Sequence, residues 1–415
     1  MALIIKNCRL MQEGKEVIKN ICIAGGQIIG IREDMPTEGC YSVLDAKGNF
    51  VIPGIIDPHV HFREPGLTHK EDLYTGSCAA AAGGITTFFD MPNTMPPTLT
   101  CKDLMEKKKL AKEKSIVNYG FYIGASADNL DEIKKANEKY NIPGTKLFMN
   151  LSTGKMMIED KNTIKRVFEN SRLVAVHAEG SKVEEAINYA IHTKTRLYLC
   201  HISTAEEIEI IKKYRKHHQW ARENIFVEAT PHHLFMTEDD CRKKGAFAKM
   251  IPTLKTKKDQ EALWKAIYDG TINAIGTDHA PHTIEEKKSK DAPSGVPGEE
   301  TILPLLLNAI NKRKRKLTLE RIVELTSKNP AKIFGIKNKG LLKVGYDADL
   351  AIIDINLEKD VKNGELKTKC RWSPFERWKL KGWPVTTIAN GNIVFNHGKI
   401  YKNQGREVLF RGQNG

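Results

Sequence analysis

The sequence is poor in the features that mark secreted, membrane-spanning or redox-framework proteins. Its eight cysteines among 415 residues are scattered, and none forms a Cys-x-x-Cys pair. That argues against a disulfide framework and against a cysteine zinc ribbon, and it suits a reducing compartment. No apolar run is long enough to cross a bilayer. The opening stretch "MALIIKNCRLMQEGKEVIKN" has neither a sustained apolar core nor a small-residue cleavage site, so it reads as short strands. A cytoplasmic enzyme is expected. There is no short-period repeat, no low-complexity tract and no Gly-x-Gly-x-x-Gly turn, and the last absence counts against an open, doubly wound sheet.

Charge is abundant and one-sided. Sixty-five Lys and Arg face 51 Asp and Glu, a formal balance of +14. The lysines of "EKKKLAKEKS" and "NKRKRKL" are interleaved with Glu and Leu at helical spacing and have no aromatic or glycine-rich neighbours. They read as solvated helix faces, with no nucleic-acid module attached. A positive field of this kind draws in an anionic small molecule. With 40% hydrophobic and 28% charged residues, the chain can bury one large catalytic domain plus a smaller one.

Between residues 54 and 282, strand-like runs alternate with amphipathic stretches such as "NLDEIKKANEKY" and "TAEEIEIIKKYRKHH". The runs are "GIIDPHVHF", "GITTFFDMP", "VNYGFYIGA", "GTKLFMN", "RLVAVHAE", "RLYLCHIS", "IFVEATPHH" and "INAIGTDHAPH". Eight strands in that alternation predict an α/β fold, a (β/α)8 barrel of the TIM type. The flanks, punctuated by turn glycines, read as β structure at both ends of the chain. The expected division is a composite β-sandwich from 1–52 plus 339–415, and a barrel over 53–338.

Polar residues cluster at the ends of the barrel runs. His59 and His61 close the first, Asp90 and Asn93 the second; Lys146 lies in the fourth, His177 ends the fifth, His201 the sixth and Asp278 the eighth. In a strand, residues two apart share a face, so His59 and His61 aim at one spot. Taken singly each is an ordinary core or cap residue. In a barrel, however, all strand C-termini meet on one rim, where active sites are built.

With these residues in hand, the chain resembles the dihydroorotases of the amidohydrolase superfamily. The resemblance runs nearly end to end, through "PGIIDPHVHFREPGLTHKED", "AAAAGGITTFFDMPNTMPPT", "GTKLFM", "VAVHAEG", "LCHIS", "EATPHHL", "GTDHAPHT" and "GVPGEETILPLLL". It implies a metal-dependent barrel carrying two Zn2+ ions, bridged by hydroxide and by Lys146 carboxylated to a carbamate. The implied metal ligands are His59, His61, Lys146, His177, His201 and Asp278, with Lys155 as the fallback bridge. Asp278 is also the implied proton shuttle. Arg63, with its planar fork, is implied to hold the substrate carboxylate, helped by Asn93, His282 and Gly298.

The implied reaction is reversible cyclisation of N-carbamoyl-L-aspartate to L-dihydroorotate with loss of water, in pyrimidine biosynthesis. Allantoinase or dihydropyrimidinase-type activity, or a non-catalytic barrel that binds pathway enzymes, are the alternatives; intact "FREPG" and "MPNT" favour the first reading. The partner is a small molecule, neither nucleic acid nor membrane, and a contact with an aspartate carbamoyltransferase stays open.

Two features depart from or extend the pattern. Ile251 in "KMIPTL" stands where relatives carry Asn or Arg, so a polar contact to the pyrimidine is missing or comes from elsewhere. The stretch "NLSTGKMM" (150–157) is expected to close over substrate with Ser152 and Thr153. Cys200, next to His201, is expected on the opposite strand face as a core thiol, and His232 and His233 are left without a metal role.

Overall fold

In the computed structural model of the chain, which describes residues 2–34, 41–151, 156–312 and 317–410, eight short parallel strands form the centre. They are β1 (Ile55–Val60), β2 (Ile85–Asp90), β3 (Asn118–Phe121), β4 (Thr145–Phe148), β5 (Leu173–His177), β6 (Arg196–Leu199), β7 (Ile225–Ala229) and β8 (Ala274–Ile275). Pairing runs from β1 to β3; beyond Tyr122 the extension Ile123–Gly124 carries the register to β4, and pairing continues to β8. A parallel bridge between Val60 and His279 closes the circle. The expected (β/α)8 barrel is the observed fold.

The strands are largely apolar because both faces are covered: helices lie outside and packed side chains fill the lumen. Every residue of β1, β2 and β5 is buried. Helix starts follow local capping chemistry. The Asp72 carboxylate accepts the Tyr74 and Thr75 N–H groups ahead of helix Leu73–Ala82, and Thr204 with Glu207 forms a capping box for Ala205–His217.

Two apolar layers result. The outer one joins strands to helices, with Val174, Val176, Ile187 and Phe168 among its members. The inner one, including Ile56, Phe89, Tyr122, Leu173, Ala175 and Tyr198, fills the lumen. Phe334, Ile336, Val408 and Phe410 complete it at the N-terminal mouth. Phe410 is placed there by the segment after residue 404, which runs parallel to β3: the Tyr119 N–H donates to Arg406 O (3.0 Å) and the Val408 N–H to Tyr119 O (2.9 Å).

The two ends of the chain share one nine-stranded sheet. Phe50–Pro53 is the joint. It pairs antiparallel with Leu350–Asp360, from Leu350↔Pro53 to Ile353↔Phe50, and meets the first strand, Ala2–Gln12, at Arg9↔Phe50. Ile5, Leu10, Ile21, Ile23, Val51, Leu350, Ile352 and Ile388 form its core.

Candidate metal centre and substrate pocket

At the C-terminal rim, an open pocket is lined by His59, His61, Arg63, Asn93, Lys146, His177, His201 and Asp278, together with Met250, Ile251, Ala280, Ser294 and Gly295. Its floor is the inner layer of the barrel. Leu173 and Ala175 face the lumen, so His177, two residues on, continues their column.

His201 arrives differently. Tyr198 and Cys200 are the lumen-facing pair of that strand, which would turn His201 outward. Its backbone, however, takes φ +36°, and the ring swings in. Cys200 is a buried core thiol as expected, but it faces the site: the Lys146 Nζ donates to its Sγ at 3.1 Å. The regular alternation behind the opposite-face expectation ends where the left-handed residue begins. Arg63 (φ +67°) and Asp278 (φ +48°) are also left-handed. Non-glycine residues there cost stability and persist where the surroundings fix them, commonly at functional sites.

For His59 and His61 the contacts point to Nδ1 as the protonated nitrogen. His59 Nδ1 lies 2.9 Å from Glu228 Oε1, and His61 Nδ1 lies 2.7 Å from Asn93 Oδ1. Donation on those sides leaves both Nε2 lone pairs facing Asp278 Oδ1, at 3.3 and 3.0 Å. His177 Nδ1 and His201 Nε2 meet at 2.9 Å, while His177 Nε2 and His201 Nδ1 are buried without a hydrogen-bond partner. Burial pushes His61 and His177 down to about 3, and His59 and His201 well below the usual range. The rings are therefore neutral donors. Burial likewise raises Asp278.

Lone pairs converging on a carboxylate oxygen repel unless a cation or proton lies between them. His59, His201 and Asp278 place one donor atom each within 4.8 Å of one another. A second trio, His59, Cys200 and Glu228, meets the same limit one layer deeper. Lys146 is fully buried and has no ion pair to a carboxylate among the described residues. The donor set fits divalent metal, and a buried lysine without a carboxylate ion pair fits a side chain converted by carboxylation to an anionic carbamate.

Arg63 defines the opposite wall. Its guanidinium is buried, its Nε donates to Pro281 O (3.1 Å), and Nη2 lies 3.1 Å from His282 Nε2. No carboxylate pairs with it among the described residues. His282 stands behind Arg63, off the cavity wall, donating to Ser294 O (2.9 Å) and accepting from Lys70 Nζ (3.1 Å). Burial and the flanking Arg63 and Lys70 cations hold it well below the usual histidine range. Gly298 is also off the wall: its N–H donates to His279 Nδ1 (3.2 Å), and Ser294 and Gly295 line the cavity in its place. Ile251 lines it too. Ser152, Thr153 and Lys155 lie outside the described residues.

Comparison with known proteins decides the family. The model of the amidohydrolase family matches residues 50–394. The chain belongs to the amidohydrolase family. Among its relatives are the dihydroorotases of Methanosarcina mazei, 37% identical over 99% of this chain and 97% of that protein, and of Pyrococcus furiosus, 36% identical over 97% and 96%. The solved L-hydantoinase (dihydropyrimidinase) of Arthrobacter aurescens superposes with a TM-score of 0.89 at 29% identity, covering 98% of this chain and 99% of that one. This amidohydrolase is thus a hydrolase with a metal-competent site, and no helix among the described residues is long and apolar enough to cross a membrane.

Glu228 is one site residue that sequence reasoning missed. Fully buried, it accepts from Tyr198 OH (2.8 Å) and the His201 N–H (2.9 Å) while holding His59, and burial lifts it to about 8. The only signal was an acid in the otherwise apolar run "IFVEA". Lys70 was missed as well, hidden among the charges of "THKED".

Proposed function

We propose that this amidohydrolase is a dihydroorotase, interconverting N-carbamoyl-L-aspartate and L-dihydroorotate on two zinc ions. His59, His61, His177, His201, Asp278 and the Lys146 carbamate would hold them. When bound, the ions supply the Lewis acidity that polarises a carbonyl and acidifies water. The protein's own groups do the rest. In the hydrolytic direction water adds to the ring amide carbon, Asp278 Oδ1 takes its proton, and the same oxygen returns it to the departing ring nitrogen. In the synthetic direction the ureido nitrogen gives its proton to Asp278 as it closes on the side-chain carboxyl, and Asp278 passes that proton to the oxygen that leaves as water.

The single observation that carries the substrate assignment is Arg63, a buried guanidinium on the cavity wall with no acidic partner among the described residues. Both substrates keep one carboxylate that does not react, and a bidentate Arg–carboxylate pair matches that geometry. Hydantoins and dihydrouracil carry no such carboxylate, so with them Arg63 would stay buried without a direct ion-pair partner. The dihydroorotase names of the full-length relatives support the same assignment.

The test is turnover of L-dihydroorotate, allantoin and dihydrouracil by one zinc-loaded preparation of known metal content. Preference for dihydroorotate is expected. Preference for either neutral ring would replace the assignment with the hydantoinase or allantoinase reading.

A further inference from the structure

The polar stretch "TIEEKKSKDAPSG" hides a buried cation that the chemistry above leaves unused. Lys287 sits on the short helix Ile284–Lys288, which starts on a Thr283–Glu286 capping box. Its neighbour Lys288 is exposed, whereas Lys287 is 1% exposed. No carboxylate accompanies it among the described residues. Instead Nζ donates to three backbone carbonyls, Pro293 O (2.9 Å), Gly295 O (3.0 Å) and Lys249 O (3.3 Å), and lies 5.6 Å from the Trp372 ring centre.

Those carbonyls belong to two separate walls of the substrate cavity. Pro293 and Gly295 flank Ser294, and Lys249 precedes Met250 and Ile251; Ser294, Gly295, Met250 and Ile251 all line the cavity. The Gly295 N–H donates to Lys249 O (3.0 Å) and the Lys249 Nζ to Ala292 O (2.6 Å), so the two segments are joined around the ammonium. Trp372, whose ring covers it, donates its indole N–H to His282 O (2.7 Å), which ties the assembly to the residue behind Arg63.

We infer that Lys287 is a positioning residue for substrate: its buried ammonium staples segment 249–251 to segment 293–295, fixing the walls that face the ring. Ile251 offers no polar side chain on its wall, so polar recognition there falls to the backbone and to Ser294, whose placement the staple sets. The idea rests on the proposed reaction only for the identity of the ring.

The test uses the zinc-loaded full chain and two readouts. In Lys287→Met, amide hydrogen exchange at 250–251 and 294–295 should quicken about tenfold, the effect of losing charge-assisted hydrogen bonds, while amides of β5 keep parental rates. KM should rise about tenfold with kcat within about threefold. Lys288→Met, at the exposed neighbour, should match the parent in both. If Lys287→Met does not fold, Lys287→Gln carries the same readouts. Parental exchange at those amides, or a parental KM with reduced kcat, would overturn the inference. KM is read on whichever of dihydroorotate, allantoin or dihydrouracil the parent turns over. A wrong reaction therefore shows in the parent's ranking, and a wrong role for Lys287 in the variant's KM and exchange.

Discussion

The two mouths of the barrel are built from the same strands and could hardly differ more. At the N-terminal mouth Phe334 and Phe410 pack edge to face against Phe89 of the lumen, with Phe89–Phe410 ring centres 5.3 Å apart. At the C-terminal mouth four neutral imidazoles, a raised carboxyl, and a lysine and an arginine with no carboxylate ion pair among the described residues crowd one cavity, and three of these residues hold left-handed backbone. One end lowers free energy by burying rings; the other stores it in unmet polar groups and strained backbone. The apolar mouth provides the stability that lets the polar one remain poised.

That contrast can be broken by substitution, beginning where the effect on turnover is largest. Asp278→Asn should lower kcat on dihydroorotate by about a thousandfold, the scale of a removed general acid–base group, and circular dichroism should show an intact fold. Arg63→Met should cut kcat/KM for dihydroorotate by about a hundredfold, as expected for lost charge-assisted bonds. Metal content by elemental analysis should stay at the parental level, and equal losses on dihydrouracil would contradict the carboxylate role.

Glu228→Gln keeps shape but weakens the acceptor that orients His59, so zinc affinity should fall about tenfold or more, read by competition with a chelator of known affinity. The smallest effect on turnover belongs to the other mouth. Phe410→Ala should destabilise the fold by about 3 kcal/mol in denaturant unfolding while leaving kcat/KM within about threefold. A large activity loss there would mean that the two ends are not separable.

The same contrast explains what could be read before the fold was known. The strands were legible because parallel strands buried on both faces are continuous apolar runs, and their polar ends marked the rim. The rim placement of His59, His61, His177 and Asp278 follows from that pattern, and their expected metal roles came from the family resemblance. Cys200 joined His201 on the lumen side because one left-handed residue ends the alternation, and a residue's hand is not written in its neighbours. Glu228 and Lys287 were hidden for opposite reasons. The acid sits in an apolar run whose partners lie on other strands, and the lysine sits in a charged loop that reads as solvent-facing. Gly298 gave way to Ser294 and Gly295 because loop positions are set by tertiary contacts, here the bond from Gly298 to His279.

The paired-metal centre is tested most directly by anomalous scattering at the zinc edge from crystals grown with zinc and bicarbonate. Two peaks are predicted, one against His59, His61 and Asp278 and one against His177 and His201, with density for a carbamate on Lys146 between them. A rim without anomalous signal, or a single peak beside an unmodified Lys146, would contradict it.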